Sequence, residues 1–523
     1  MANIILFTDR TPLTQELQGT SYQLERYSRP AGAYKVASVL RAHGYSVVVV
    51  PNCLQMTFAG IKEFIDANAK DLIWVGISTT FLTVRSNAIE QYRETWRNSS
   101  SLLLDLGVLN NHHYIQTNIP TQLAWGTEEI RLISSYIDSA YQAKLILGGT
   151  WVSHIKNGSI DIDRANALVI TGQNEDFIVS ATGALKNKLP IPVQSIVDTG
   201  EANFKSSCMS YVDSDYIDPN EWLTLEVSRG CAFKCAYCTY DHKGKDDTTK
   251  HTKTLRDELI RNYEQWGVTK YHLLDDLYND SDYKIKKLYD EVWSKLPFKP
   301  EWISYLRLDL IWSNPESAKW IEASGCKLGA FGIETLHDEA GKRVGKGLGK
   351  ARILETLEHL KETWGNRVLV NALMIAGLPH EPYDHIVETM DWLHTTDLVH
   401  SYKYSALWVT PPEHKHFVLK QNTMSENYEK YNLTWGPEGW VNNMGVSFNA
   451  VCDLVIRDGT DYFNNYFPVD LIEYPELRFL GYTHDQLADR AFNKQIISDV
   501  VENKYDVNGL VAARLKRILS TRD

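Results

Sequence analysis

The sequence contains no run of roughly eighteen or more apolar residues, so it offers no helix built to cross a membrane. Its first residues, Met-Ala-Asn-Ile-Ile-Leu-Phe-Thr-Asp-Arg, carry no basic segment ahead of a long apolar core. They read as a first β-strand rather than a secretory signal, and a cytoplasmic location is expected. Positive charge is also short: 54 Lys and Arg stand against 66 Asp and Glu, a net charge of −12. That balance argues against a broad non-specific nucleic-acid surface, though a local basic groove remains compatible with it. Cysteine is scarce and odd in number, seven in 523 residues. Cys53, Cys208, Cys326 and Cys452 are widely scattered, as small buried side chains usually are.

What is present is ordinary for a soluble globular chain, with 43% hydrophobic and 23% charged residues. The length implies two to four domains. Shifts in pattern suggest boundaries near residues 200 and 410, giving segments 1–200, 201–410 and 411–523.

The other three cysteines stand together in Ser-Arg-Gly-Cys-Ala-Phe-Lys-Cys-Ala-Tyr-Cys-Thr, Ser228 to Thr239. Cys231, Cys235 and Cys238 have the spacing C-x3-C-x2-C. Thiolates hold iron–sulfur clusters, and a 4Fe–4S cluster normally takes four of them. Three ligands leave one iron open, and an open metal position is where a substrate or cofactor binds. Zinc is the competing reading, with His242 as a fourth ligand. All four ligands would then fall within twelve residues, with almost no loop to fold around the ion. A disulfide is disfavoured because nothing marks the chain as secreted.

Apolar runs at Ile4–Phe7, Tyr45–Val50, Leu72–Ile77 and Lys144–Leu147 alternate with helical patterns over Lys35–His43, Ile61–Ala69 and Glu128–Ala140. Alternation of this kind predicts a parallel sheet covered on both faces, with ligands at the carboxyl ends of its strands. Two strand ends carry glycine and hydroxyl residues, Gly76-Ile77-Ser78-Thr79-Thr80 and Gly148-Gly149-Thr150. Neither has the G-x-G-x-x-G spacing of a nicotinamide site, and Gly-Gly also reads as a simple turn. Residues 82–124 interrupt the pattern; His112 and His113 there read as an exposed polar loop rather than a metal site.

From Glu221 to Val409 strand and helix patterns repeat six times, the sixth repeat showing a strand but no distinct helix. Strands are expected at Leu223–Val227, Lys270–Leu274, Trp302–Leu306, Lys327–Ile333, Val368–Ile375 and Tyr402–Val409. Helices are expected at Leu255–Trp266, Tyr283–Leu296, Pro315–Ser324, Ala351–Trp364 and Tyr383–His394. The cysteine loop follows the first strand. Polar residues recur at strand ends, as a shared active face demands. Pro411-Pro412 then breaks the pattern. The tail holds Trp435, Trp440, Tyr462, Phe463, Tyr466 and Phe467 with Asn442, Asn443 and Asn449, residues that suit either a pocket or a small core. Thr483 with Gln486 makes a capping box for a helix His484–Val500, and Val511–Ser520 reads as a closing helix with a basic face.

The cysteine loop resembles that of the radical S-adenosylmethionine (SAM) superfamily, in which Tyr237 fits the aromatic before the third cysteine. The resemblance implies that the open iron chelates SAM and that the six repeats form a partial (β/α)6 barrel. By the same resemblance Asp275 and Asp276 hold the SAM amino group, Arg307 and Glu334 contact its carboxylate or ribose, and Gly377 lies near the adenine. Each also has a plain alternative: an acidic turn, a surface pair with Asp309, a first helical turn, and a Gly-Leu-Pro turn.

A Rossmann-like sheet before such a loop is similar to the cobalamin-binding domain of cobalamin-dependent radical SAM enzymes. The cobalamin contacts this implies are Ser78, Thr79, Thr80, Gly148, Gly149, Thr150 and Gly172. Thr171-Gly172-Gln173-Asn174-Glu175 resembles their Gly-Glu-x-Glu turn, from which Gln173 and Asn174 depart. The D-x-H-x-x-G signature, whose histidine ligates cobalt, is absent, as it is in many members of that class. The expected activity is therefore SAM cleavage with carbon methylation, with a 4Fe–4S cluster, SAM and cobalamin as cofactors. The partners implied are a small-molecule or peptide substrate and an electron donor such as flavodoxin or ferredoxin. Alternatives are a radical SAM enzyme without methyl transfer and a non-catalytic metal-binding sensor or scaffold. A methylthiotransferase would usually carry further N-terminal cysteines, and here Cys53 stands alone in the first 200 residues.

Overall fold

A computed structural model describes residues 2–8, 29–51, 53, 56–79, 127–149, 152, 167–172, 175–189, 204–239, 244, 248–409, 422–436, 439–455, 473–479 and 481–489. It adds the backbone alone at 13–17, 20–24 and 196–199, where 13–17 and 20–24 form an antiparallel pair.

The N-terminal sheet has six parallel strands. They are β1 (Ala2–Phe7), β2 (Val47–Val50), β3 (Ala69–Ser78), β4 (Lys144–Gly148), β5 (Ala167–Gly172) and β6 (Ile196–Thr199), in the order β2-β1-β3-β4-β5-β6. Their nearly unbroken apolar runs follow from burial on both faces. Ile5, Phe7, Val75, Ile77 and Leu147 pack on one side with α2 (Phe58–Asn68) and α3 (Thr127–Tyr141). Ile4, Leu6, Trp74, Ile146 and Ile170 pack on the other with α1 (Ala31–Ala42) and α4 (Glu175–Lys186).

The second sheet is also parallel, and its six strands run in strict sequence order. They are β7 (Trp222–Leu225), β8 (Lys270–Leu273), β9 (Glu301–Leu306), β10 (Cys326–Glu334), β11 (Leu369–Ala376) and β12 (Ser401–Ala406). Sequential order with helices between the strands is the ladder of a (β/α)6 partial barrel, as expected. The core on the α1 side of the first sheet continues into the barrel through Met209, Tyr211, Leu223 and Leu225. Two buried ion pairs cross the same junction. Arg29 meets Glu221 through two hydrogen bonds at 2.5 and 3.0 Å, and Arg41 meets Asp215 at 2.7 and 2.9 Å.

Several expected elements are shorter or divided. The helix expected over Tyr283–Leu296 is Asp282–Glu291 followed by one 3-10 turn, Trp293–Lys295. The helix expected over Pro315–Ser324 is Ser317–Ala323, and a short helix not expected from the sequence, Leu308–Ser313, precedes it; Pro315 keeps the two apart, since it cannot continue a preceding helix. A further helix, Asp338–Arg343, had no strong periodicity to reveal it. The last strand stops at Ala406 rather than Val409. Thr483 and Gln486 form the expected capping box, but the helix ends at Ala488, where Asp489 turns extended. Val511–Ser520, Tyr462, Phe463, Tyr466, Phe467, His112, His113 and His242 lie outside the described residues.

The C-terminal segment is built into the barrel. Trp440, Phe448 and Val451 pack with Ala376, Leu378 and Ala406 beyond the strand ends. Tyr474, Leu477 and Leu487 pack with Trp222, Ile303 and Leu328 of the strands themselves. Asn442 is structural: it donates to the carbonyls of Leu378 and Glu381 at 3.0 and 3.1 Å.

Candidate active site: a cysteine loop and two clefts

The cysteine loop leaves β7 and is tied down on every side. Asp275, buried at the end of β8, accepts from the backbone and hydroxyl of Ser228. Lys284 donates to the same hydroxyl at 2.7 Å and meets Asp280 at 3.0 Å. Ala236 N donates to Val344 O at 3.0 Å, and Asn422 donates to the carbonyl of Tyr237 at 3.2 Å. Gly230 supplies a turn at φ +110°, a conformation that favours glycine.

Cys231, Cys235 and Cys238 line one cleft at the barrel mouth, together with Asp276, Arg307, Glu334, Lys346, Lys403 and Ser405. No three His, Cys, Asp or Glu among the described residues converge as a single-ion site requires. Burial pushes the Cys231 thiol up, with partial relief from a backbone hydrogen bond and from Arg307; iron coordination would reverse this by taking the thiolate.

Arg307 donates to Cys235 Sγ at 3.4 Å and to both oxygens of Asp309 at 2.9 and 2.6 Å, with the Phe233 ring 3.6 Å from its guanidinium carbon. Burial works against its charge, but Asp309 and the Cys235 sulfur outweigh that and raise its pKa. Glu334 closes β10 in the left-handed region at φ +70°, so it ends the strand rather than opening a helix. Its carboxylate accepts from the Tyr237 hydroxyl at 2.8 Å and meets Lys346 at 3.2 Å. Burial, reinforced by Glu334, drives the Tyr237 phenol well above its ordinary pKa. A non-glycine residue held at positive φ on a cleft wall is the kind of strain that marks functional sites.

Two of the SAM assignments move. Asp276 lines the cleft, but Asp275 is turned onto Ser228 and holds the loop instead. Gly377, at φ +91°, faces Trp440: a Cβ there would run into the indole and lie 2.9 Å from Val451 Cγ2. Its role in this fold is close packing. Lys346, Lys403 and Ser405 were missed. Lys346 carried a weak signal in Gly345-Lys346-Gly347; Lys403 and Ser405 lay inside an ordinary strand pattern.

A second cleft opens at the carboxyl ends of the N-terminal sheet, with about 900 Å3 of empty space. Ser78, Gly148, Gly149 and Gly172 line it, and Gly149 and Gly172 hold φ of +94° and +83°. Its floor is apolar, formed by Leu6, Val36, Trp74, Ile146 and Ile170. Thr79 is spent locally, since its hydroxyl donates to Gly148 O at 2.8 Å. Thr80 and Thr150 lie outside the described residues.

The radical SAM superfamily pattern matches residues 225–393, which hold the cysteine loop and most of the barrel. An uncharacterized methyltransferase of Pyrococcus horikoshii is 23% identical over 265 residues, 48% of this chain and 53% of that protein. The anaerobic magnesium-protoporphyrin IX monomethyl ester cyclase of Cereibacter sphaeroides is 21% identical over 291 residues, 51% of this chain and 47% of that protein. The match thus spans about half the length of these curated relatives. Among solved structures, the radical SAM methyltransferase TsrM of Kitasatospora setae, with tryptophan substrate and a SAM analogue bound, covers 96% of this chain and 100% of its own. Its TM-score is 0.59 at 13% identity. The cobalamin-dependent SAM radical enzyme OxsB covers 82% of this chain and 56% of its own, with TM-score 0.52 at 15% identity. These likenesses establish a shared fold. The three-cysteine loop and the six-stranded barrel whose mouth it occupies thus lie largely within the residues, 225–393, that match the radical SAM superfamily pattern.

Proposed function

We propose that the protein is a cobalamin-dependent radical SAM methyltransferase acting on a carbon centre. The observation that carries this reading is the second cleft: an apolar floor under left-handed strand-end glycines, continuous with the core that leads to the cysteine loop. Glycines at a strand end let a flat ligand lie close to the backbone, and the apolar floor suits an aromatic tail. The fold shared with TsrM and OxsB supports it, as does the named methyltransferase relative.

Cys231, Cys235 and Cys238 would hold a 4Fe–4S cluster, and Gly148, Gly149, Gly172 and Ser78 would face cobalamin. When bound, the cluster supplies the electron that cleaves SAM to methionine and a 5′-deoxyadenosyl radical, and cobalamin supplies the methyl group. The chain's own residues bind and orient. Asp276 offers a carboxylate to an ammonium group; Arg307 and Lys346 offer donors to a carboxylate. Tyr237 and Glu334 fix the wall behind the third cysteine. Leu373 and Ile375 give the cleft an apolar side that excludes water from a radical. A small-molecule or peptide acceptor and a flavodoxin- or ferredoxin-type electron donor complete the reading. The second reading, radical chemistry without methyl transfer, is favoured by the cyclase relative.

The test is anaerobic reconstitution with cobalamin supplied, followed by metal analysis and SAM turnover. About four iron and about one cobalt per chain are expected, with 5′-deoxyadenosine formed. Four iron without cobalt would move the second reading to first place. 5′-Deoxyadenosine from a Cys231→Ala variant would overturn the cluster assignment.

A further inference from the structure

The polar end of the second cleft is formed by four charged side chains: Lys35 of α1, Glu175 of α4, and Glu226 and Arg229, which flank the start of the cysteine loop. Glu226 and Arg229 face each other through two hydrogen bonds, 3.0 and 3.2 Å. Lys35 reaches Glu226 at 2.5 Å and Glu175 at 3.6 Å, and Arg229 reaches Glu175 at 3.4 Å. The ring of Phe204 backs both cations, 4.7 Å from Lys35 Nζ and 4.5 Å from the Arg229 guanidinium carbon. Side-chain exposures of 4% to 16% place the whole group inside the molecule.

The charge count decides what such a group can take. Lys35 and Arg229 balance Glu175 and Glu226, and the neighbouring Lys250 is balanced by Glu258 at 2.8 Å, so the group is neutral and a ligand anion gains from Lys35 and Arg229 but loses to Glu175 and Glu226. A primary carboxamide suffers no such conflict. Its oxygen accepts from Lys35 or Arg229, and its N–H groups donate to a carboxylate. In a site this dry, a ligand group that leaves either carboxylate facing a negative charge is penalised strongly.

We infer that Lys35, Glu175, Glu226 and Arg229 form a carboxamide-recognition site at the end of the N-terminal cleft. Arg229 lies two residues before Cys231, so the end of this cleft and the cysteine loop share one stretch of chain. This rests on the cobalamin reading, whose corrin ring carries neutral amide side chains around its edge. It adds which residues read those amides and why a hydrolysed amide is refused.

The experiment measures equilibrium binding of hydroxocobalamin and of its separated monocarboxylates, each with one propionamide hydrolysed to the acid, by visible absorption on the reconstituted protein. The wild type is expected to bind at least one monocarboxylate about tenfold more weakly than hydroxocobalamin. Glu175→Gln removes one repelling carboxylate but keeps a side-chain oxygen that can accept an amide N–H, and that discrimination should shrink severalfold. Arg229→Gln should weaken hydroxocobalamin about tenfold. Where Arg229→Gln fails to fold, Glu175→Gln carries the test alone, since a purely structural role would leave the amide-to-acid ratio unmoved. Equal binding of amide and acid forms by the wild type, or an unchanged ratio in Glu175→Gln, overturns the inference and leaves cobalamin binding standing. No hydroxocobalamin binding by the wild type overturns both.

Discussion

Arg307 Nη1 stands 3.4 Å from the sulfur of Cys235 while its other donors grip Asp309, so a buried guanidinium is fixed against one of the three proposed cluster ligands. A cationic donor at a ligand sulfur stabilises the more negative, reduced state of a cluster. Arg307→Met should therefore make the cluster harder to reduce. A fall of about 60 mV would be a tenfold change in a one-electron equilibrium, read by a redox titration followed by electron paramagnetic resonance. An unchanged potential would reduce Arg307 to a packing role.

Glu226 carries a pH prediction. Burial alone would raise its pKa, but Lys35, Arg229 and Lys250 outweigh it and hold the carboxyl at about 2, against an ordinary 4.5. A depressed carboxylate contributes stability above its unfolded pKa and loses it as pH falls through its folded one. The contribution should be whole above pH 4.5 and fade toward pH 2. Urea titrations from pH 6 to about 3 should show a steeper loss in the wild type than in Glu226→Gln.

The Arg29–Glu221 pair joins the two sheets with both side chains almost fully buried. Arg29→Met strands a carboxylate in the core, a change that costs about 3–5 kcal/mol. The double variant Arg29→Met, Glu221→Leu should recover much of that loss. Thermal melts of all three variants give the comparison, and no recovery would mean that the pair acts through backbone placement instead.

Gly377→Ala meets two penalties at once, a left-handed backbone and the Trp440 ring. A loss of about 2–4 kcal/mol is expected from overpacking and conformation together. If stability is unaffected, the C-terminal segment does not seat against β11 as described.

Much of the architecture was legible because its signals are local. Apolar runs four to eight residues long, separated by amphipathic helices, placed four strands of the first sheet and all six of the second to within a few residues, while β5 and β6 went unread. The three cysteines were legible for the same reason, since their spacing is set within twelve consecutive residues. The errors fall where a local pattern was overridden. The short helix Leu308–Ser313 stands where only a strand end was read, and Asp489 ended a helix that continuing periodicity would have extended.

The sequence by itself determined the alternating fold and the three-cysteine spacing, because order along the chain is enough to specify a turn, a strand or a run of thiols. The tertiary structure alone decided which polar residues face a cleft. Asp275 and Asp276 are neighbours with the same charge, yet one is buried against Ser228 and the other lines the site. Lys35, Glu175 and Arg229 are as much as 194 residues apart in sequence, and they meet only when two sheets pack. Side-chain direction and long-range charge pairing depend on what lies across the core, which no local pattern records.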